Sequence, residues 1–353
     1  MSKSSVAQER LQAFNEKLQK LDIQAYWMRP ARETHAELPS VLKWKTIYPL
    51  LLEAGEVVRL GGDAFRRNMA GYQIVMPGEA APAHRHTASA MRFVIAGDGS
   101  AFTTTNGEQM FMEPGDLLVQ PSFGWHDHTN PGTEPVIWMD MLDIPLIQML
   151  QVEFREEWAE RSGAVTGRSS EVAGSGGPKI DQQPVTHPEG FHSQLYGRVR
   201  PARLIGAQLG SPQDSPPVTY KFRDALKSLE LMATEEEVDP YDGVLLEYSN
   251  PVTGGHTLPS MSARIQMLRP GETTRPHRHT GVVRYHVVQG EGASVLDLDD
   301  AKALDWEDHD SFEIPSWRWH QHRNRSASQP AILFTISDCP IAKAFGFYRE
   351  EGG

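Results

Sequence analysis

The chain has 353 residues, of which 39% are hydrophobic and 23% charged, so it is globular rather than disordered and long enough for two domains. Its net charge of −12 argues against general nucleic-acid binding, and no apolar stretch reaches the length of a membrane span. The polar N-terminus lacks the apolar centre of a signal peptide and the single cysteine, Cys339, excludes a disulfide within the chain, so we expect a cytoplasmic protein with no membrane contact.

The first 60 residues are predicted to form an N-terminal helical arm. Leu11, Phe14 and Leu18 follow one another at helical spacing within a predicted helix over 5–21. A second apolar helix is predicted over 41–52, after Pro39.

The remaining chain is predicted to contain two β-domains joined by a linker. Short runs rich in Val, Ile, Phe and Thr alternate with Gly, Pro and Asn from about residue 71, a pattern typical of antiparallel strands and tight turns, and TNGE at 105–108 predicts a hairpin turn. A Gly/Ser-rich segment at 162–178 predicts a loop, and a helix is predicted over 222–236. The predicted domains are 61–150, a linker over 151–240 with a helical segment, and 241–353.

An internal repeat is the most informative feature of the sequence. GYQIVMPGEAAPAHRHT at 71–87 aligns without a gap with RIQMLRPGETTRPHRHT at 264–280. Three further matches follow in the same order, namely GDG (97–99) with GEG (290–292), PSFGWHDHTN (121–130) with PSWRWHQHRN (315–324), and DIP (143–145) with DCP (338–340). The chain therefore carries two copies of one β-domain.

The repeated segments contain a set of histidines with the spacing of a metal site. His84 and His86 are two residues apart, so on a strand both point to the same side, and His126 from a distant strand can complete a triangle. The second copy repeats the set as His277, His279 and His320. Three neutral imidazoles suit Fe(II), Zn(II), Ni(II), Cu(II) or Mn(II), and they leave positions open for other ligands.

These motifs resemble the cupin superfamily. Its first motif matches Gly78, His84, His86 and Gly97, and its second matches Gly115, Pro121, Gly124, His126 and Asn130. The resemblance implies an all-β chain of two jelly-roll cupin barrels, with helices before and between them. Many cupins carry a Glu a few residues after the second histidine as a fourth ligand, whereas this chain has Ala90 and Met91 there. The expected site is therefore built from three histidines alone.

A closer resemblance is to the gentisate/salicylate 1,2-dioxygenase family. It is carried by HRHTASAMRFVIAGDG, EPGDLLVQPSFGWHDHTN, EPVIWMDMLDIPL and YSNPVTGG. The family implies a homotetrameric Fe(II) enzyme that uses O2 to open an ortho-hydroxybenzoate between the carbons bearing the carboxylate and the hydroxyl group. Residue by residue, it implies iron ligands at His84, His86 and His126, together with a substrate arginine at Arg92, a neighbouring histidine at His128, a pocket glutamine at Gln73 and a buried acid at Asp140.

The chemistry of these residue types agrees with those roles. The planar guanidinium of Arg92 can pair with a carboxylate, and His128 can donate a proton or orient oxygen. Asp140 is expected to fix a histidine tautomer. The family's longer wall-forming segment before the first cupin is replaced by a short one containing Arg66 and Arg67, so a substituted salicylate such as 5-nitrosalicylate fits the expectation as well as gentisate does.

The second copy lacks part of the expected catalytic set. Arg92 aligns with Tyr285, and Asp140 aligns with Thr335. Arg284 is adjacent but has the opposite strand parity, so it should point away from the barrel. The second cupin is thus expected either to hold a metal without full catalytic machinery or to be an empty, stabilising domain.

Two other functions remain open at this stage. A cupin isomerase or hydrolase would use the metal as a Lewis acid and consume no oxygen. A non-catalytic bicupin binding protein would need no metal face, which is at odds with two intact histidine triads.

Overall fold

The computed structural model describes residues 40–60, 68–69, 71–158, 168–170, 180–197, 215–235 and 237–353. Residues 39–353 belong to one compact unit. The helix predicted over 5–21 and the arginines at 66 and 67 lie outside the described residues, as does most of the Gly/Ser-rich segment at 162–178.

The described helices lie before, between and after the two β-domains. They are α1 (Trp44–Leu60), α2 (Ile144–Leu150), α3 (Phe191–Gly197), α4 (Phe222–Met232) and α5 (Cys339–Ala344). The helix predicted over 41–52 begins three residues later and continues to Leu60, and the helix predicted from residue 222 ends at Met232. Among the described helices, none combines the length and the apolar character needed to cross a membrane.

Two facing antiparallel sheets form the first barrel. Its strands are β1 (Asn68–Met69), β2 (Tyr72–Val75), β3 (Ala80–His86), β4 (Ala90–Ala96), β5 (Phe102–Thr105), β6 (Glu108–Phe111), β7 (Leu117–Gln120), β8 (His126–Thr129), β9 (Val136–Leu142), β10 (Arg155–Glu157) and β13 (Val218–Tyr220). One sheet has the order β1-β2-β9-β4-β7-β13 and the other β10-β3-β8-β5-β6. Between them in the chain, β11 (Arg168–Ser170) and β12 (Ile180–Gln182) form a separate pair.

The second barrel repeats this arrangement. Its strands are β14 (Val244–Glu247), β15 (Ser262–Leu268), β16 (His277–His279), β17 (Val283–Gln289), β18 (Gly292–Leu296), β19 (Asp299–Trp306), β20 (Ser311–Ile314), β21 (His320–Asn324), β22 (Ala331–Ser337) and β23 (Glu350–Gly352). They form sheets of order β14-β15-β22-β17-β20 and β19-β18-β21-β16-β23. The predicted fold of two jelly-roll barrels is confirmed.

The predicted linker contributes to the first barrel. Strands β10 and β13, which lie within 151–240, occupy one edge of each of its two sheets. The predicted hairpin turn at 105–108 is confirmed, because Asn106 and Gly107 connect β5 to β6 with φ values of 48° and 85°. Positive φ at both central residues is the signature of the tight hairpin turn that Asn-Gly favours.

The two barrels share a hydrophobic core because β4 and β22 are buried on both faces. Strand alternation directs Arg92 into the first barrel and Phe93 outward toward the second. Phe93 stacks on Phe334 with ring centroids 4.1 Å apart, and both side chains are at most 1% exposed. Tyr72 adds a buried hydrogen bond to Ser311, at 2.6 Å. The sheet that carries Arg92 is therefore held rigidly from behind.

Candidate metal centre and active site

The structure brings the three histidines of the first copy together. His84 and His86 project from the same face of β3, and His126 on the adjacent strand β8 pairs with His84 in register. One ligand nitrogen from each of the three residues lies within 4.8 Å of the others. His84 and His126 are buried, at 2% and 0% exposure. The alternation of β3 and the pairing of β3 with β8 are what create this triangle.

Backbone carbonyls orient the three rings. The Nδ1 atoms of His84, His86 and His126 lie 3.1, 2.8 and 2.9 Å from carbonyl oxygens of residues 82, 88 and 124. A proton on Nδ1 satisfies each of these contacts, which leaves each Nε2 lone pair for a shared ligand. Burial lowers the pKa of His84 and of His126 far below the usual value, and that of His86 to about 4. The imidazoles are therefore neutral at physiological pH.

The residues present fit a divalent transition metal. Neutral imidazole nitrogens are good ligands for Fe(II), Zn(II), Cu(II) and Ni(II), and the backbone contacts supply the orientation that such ligands need. Ala90 and Met91 are buried in β4, where many cupins carry an acidic ligand. Three histidines and no carboxylate form the described donor cluster.

Arg92 and Asp140 face each other across β4 and β9. Arg92 is 3% exposed, and its Nε lies 3.4 Å from Oδ1 of Asp140. Burial raises the pKa of Asp140, and the guanidinium opposes that shift. Among the described residues, Asp140 forms its ion pair with Arg92, and its expected role in fixing a histidine tautomer remains a prediction. The Asp140 side chain thus helps to fix the position of the Arg92 guanidinium.

Gln120 lies between the arginine and His126, and it was not among the residues predicted from the sequence. Its side-chain oxygen accepts a hydrogen bond of 2.5 Å from Nη1 of Arg92. Its side-chain nitrogen lies 2.7 Å from Nδ1 of His126. The repeat held a signal, since the position equivalent to Gln120 in the second copy is Ile314. A glutamine at the end of a buried strand, where the other copy has an apolar residue, indicates a polar contact within the site.

His128 and Gln73 also line the site. His128 is 3% exposed, with its ring centroid 5.9 Å from that of His126. Its Nδ1 lies 2.6 Å from the Thr103 hydroxyl. When Thr103 donates to Nδ1, the Nε2–H of His128 is left to face the cavity. Gln73 on β2 is 6% exposed.

These side chains surround a cavity of about 290 Å³. The cavity also has an apolar wall made of Leu142, Ile144, Ile147 and Phe154. Two of these residues come from α2, which follows β9 directly. Arg155 also lines the cavity and was not predicted from the sequence; it lies on β10 directly opposite His86. The site combines a histidine triad, two arginines and an apolar face.

The second copy reproduces the histidines but not their surroundings. His277, His279 and His320 again place ligand atoms within 4.8 Å. Tyr285 and Thr335 face each other where the first barrel has Arg92 and Asp140. The associated cavity has a volume of only about 30 Å³. The two barrels thus differ in what they can admit.

Arg284 lies outside the second cavity, as its strand parity predicts. A Cβ atom on Gly71 would lie 2.6 Å from Nη1 of Arg284, so this side chain reaches toward the first barrel. Tyr285, its neighbour on β17, lines the second cavity instead.

Comparisons with known proteins agree with this architecture. The Cupin domain family matches residues 71–144 and 264–337. A 5-aminosalicylate 1,2-dioxygenase from Comamonas sp is 33% identical over 89% of this chain and 81% of that protein. A gentisate 1,2-dioxygenase from Haloferax sp is 37% identical over 79% of this chain and 73% of that protein. The crystal structure of salicylate 1,2-dioxygenase from Pseudoaminobacter salicylatoxidans as an adduct with gentisate superposes with a TM-score of 0.73 at 27% identity, covering 97% of this chain and 94% of that one.

Proposed function

The chain belongs to the bicupin gentisate/salicylate 1,2-dioxygenase family, and we propose that it uses Fe(II) and O2 to open the ring of an ortho-hydroxybenzoate between the carbons that bear the carboxylate and the hydroxyl group. Gentisate, salicylate and 5-substituted salicylates are the substrate class. The observation that carries the proposal is the meeting of a neutral histidine triad and a buried arginine in one cavity with an apolar wall.

His84, His86 and His126 would hold the metal through their Nε2 atoms. Fe(II), when bound, supplies open coordination positions and the redox chemistry that couples an electron-rich phenolate to O2. Redox-silent Zn(II) could occupy the same nitrogens but could not replace that chemistry. The protein's own contribution is to bind and orient the substrate and to exclude water.

Arg92 would bind the carboxylate of the substrate. A guanidinium presents several N–H donors in one plane, so it can keep its contacts to Asp140 and Gln120 and still donate to a bound anion. Asp140 and Gln120 hold the Arg92 guanidinium in position before the substrate binds. Such preorganisation avoids the cost of ordering a long side chain at each turnover.

His128 would act at the hydroxyl side of the substrate or at oxygen. Burial keeps the pKa of His128 well below its usual range, so it enters the reaction neutral, with one proton to donate. The contact with Thr103 would place that proton on Nε2, which faces the cavity. Gln73 would offer an amide hydrogen bond from the neighbouring strand.

The apolar wall would pack against the face of the aromatic ring. Ile144, Ile147 and Phe154 lie on the segment that follows β9, so this segment would decide which ring substituents fit. Arg155 and Glu153, which line the same cavity, would meet polar substituents. The family resemblance also implies a homotetramer, which light scattering on the purified protein would test.

Oxygen uptake tests the proposal. Apo-protein is reconstituted anaerobically with Fe(II), then mixed with gentisate, salicylate, 5-aminosalicylate, 5-nitrosalicylate or 1-hydroxy-2-naphthoate in air-saturated buffer. At least one compound should be consumed together with an equal amount of O2, and the Zn(II)-loaded protein should be inactive. Turnover without oxygen consumption would favour a Lewis-acid isomerase or hydrolase instead.

A further inference from the structure

We propose that the second cupin holds a divalent transition-metal ion in a closed site that fastens the C-terminal strand and admits no aromatic acid. His277, His279 and His320 cluster on β16 and β21 as the first triad does on β3 and β8. Nδ1 of His320 is 2.9 Å from the carbonyl oxygen of Arg318, which leaves Nε2 toward the cluster. That Nε2 is fully buried and has no hydrogen-bond partner among the described residues.

A buried nitrogen lone pair without a partner is costly, and a metal ion would satisfy it. Ser294 accepts a hydrogen bond from the Trp306 indole at 3.1 Å, so its own proton is free for Nδ1 of His322 at 2.8 Å. The proton of His322 is then on Nε2, a buried donor without a described partner that an oxygen ligand of the ion could accept.

The C-terminal strand occupies the place that β10 has in the first barrel. β10 pairs with β3, placing Arg155 opposite His86, and β23 pairs with β16, placing Glu350 opposite His279. The charged pair between Arg85 and Glu156 recurs as Arg278 with Glu351. The structural repeat therefore extends to the end of the chain.

At equivalent positions the two sites differ in charge. Residues directly opposite on paired strands share a face, so Arg155 and Glu350 both border their cavities. The position of Arg92 in the first barrel is occupied by Tyr285 in the second, and the position of Arg155 is occupied by Glu350. The second cavity thus replaces two cations with a neutral phenol and a carboxylate.

Other charges around the second cavity point the same way. Asp242 is a second acidic residue in its lining. Arg264 also lines it, but Nε of Arg264 lies 3.8 Å from a carboxylate oxygen of Glu247. This environment favours a dication and disfavours a benzoate anion.

Size excludes the aromatic acid independently of charge. A volume of about 30 Å³ is comparable to the share of one water molecule in the liquid. Tyr285 and Tyr348 both line this small cavity. Water or a neighbouring carboxylate would complete the coordination of the ion.

A metal ion that orders β16 would also order β23, because the two strands are in contact. Gly353 N donates to the carbonyl of Pro276 at 2.8 Å, and Arg278 Nη2 lies 2.6 Å from Glu351. Gly352 lies directly against the Tyr241 ring, which itself packs on His277 with centroids 5.6 Å apart. A metal held by His277 and His279 would thus fix β16, and these contacts would in turn hold β23 in place.

Co(II) provides a probe with an absorption spectrum. The variant His84→Ala/His86→Ala isolates the second site and should bind one Co(II) per chain by elemental analysis. Its visible spectrum should not change when gentisate is added. The matched variant His277→Ala/His279→Ala should also bind one Co(II), with a spectrum that gentisate shifts. Hydrogen exchange of residues 350–352 should slow about tenfold on metal binding in the first variant only.

Substitutions at Glu350 test the effect of charge on metal binding. Glu350→Arg in the His84→Ala/His86→Ala background should weaken Co(II) binding about tenfold, and Glu350→Gln should weaken it less. A folded His84→Ala/His86→Ala protein that binds no Co(II), or one whose spectrum responds to gentisate, would overturn the proposal. If that variant does not fold, wild type should bind two Co(II) ions per chain with only part of the spectrum responding to gentisate. A single bound Co(II) in wild type whose whole spectrum responds to gentisate would then overturn the proposal.

Discussion

Replacing Arg92 by lysine is the sharpest perturbation of the first site. The guanidinium is 3% exposed and contacts two fixed partners, Asp140 through Nε at 3.4 Å and Gln120 through Nη1 at 2.5 Å. Lysine keeps the positive charge but concentrates it on one nitrogen. That nitrogen cannot hold Asp140, Gln120 and a substrate carboxylate in one plane.

The expected loss follows from the contacts that lysine cannot make. A hydrogen bond to a charged group contributes about 1.5 to 3 kcal/mol, so losing one to the substrate should lower kcat/KM about tenfold to hundredfold. Arg92→Met should also destabilise the fold. It leaves Asp140 buried without its counter-charge, at a cost of about 3 to 5 kcal/mol in stability. Iron content should stay at the wild-type level in Arg92→Lys, because Arg92 is not a ligand.

Steady-state kinetics on Fe(II)-reconstituted protein, with iron measured per chain, would test this expectation. Arg284→Lys is the matched control, since Arg284 lies beside the Arg92-equivalent position and lines neither of the two described cavities. That control should retain both kcat and KM. Unchanged kcat and KM in Arg92→Lys would refute the reasoning and assign Arg92 to the fold.

Three further predictions concern the metal, the pH dependence of stability and the core. His84→Ala and His126→Ala should each remove iron from the first site and abolish ring cleavage, and normal turnover at low Fe(II) in either variant would contradict the ligand assignment. His286 is buried between the barrels, and burial lowers its pKa to about 3, so the unfolded chain takes up a proton below pH 6.5 that the folded protein cannot. Urea unfolding at pH 7.5 and 5.5 should therefore show about 1.4 kcal/mol more acid destabilisation in wild type than in His286→Gln, and equal pH slopes would count against a neutral buried imidazole. Phe334→Ala should cost about 3 to 5 kcal/mol by removing the ring stacked on Phe93, whereas Phe334→Leu should cost much less in the same denaturation assay.

The sequence was sufficient to predict the histidine triad and the difference between the copies. Because side chains on a strand alternate, the spacing of His84 and His86 determines that they share a face. The repeat then identifies equivalent strands without any knowledge of their arrangement. The structure shows Arg92 paired with Asp140 and Tyr285 paired with Thr335, in agreement with the alignment of the two copies.

The residues that could not be predicted depend on long-range strand order. Arg155 and Glu350 follow helices, and only the sheet topology shows that β10 and β23 each add to the edge beside a histidine strand. The sequence motif around Asp140 predicts that it lies in the barrel. Its contact with Arg92 could not be predicted, because it depends on which strand pairs with β9. Arg264 aligns with Gly71, so comparison with the first site's charged residues could not reveal it.

The product of the reaction under labelled oxygen tests the central claim most directly. Fe(II)-reconstituted protein is supplied with ¹⁸O₂ and the substrate that supports the fastest oxygen uptake, and the ring-opened product is analysed by mass spectrometry. Ring cleavage by a dioxygenase predicts that both labelled atoms enter the product and that His84→Ala forms none. A product that carries no label, or equal product formation by His84→Ala, would contradict it.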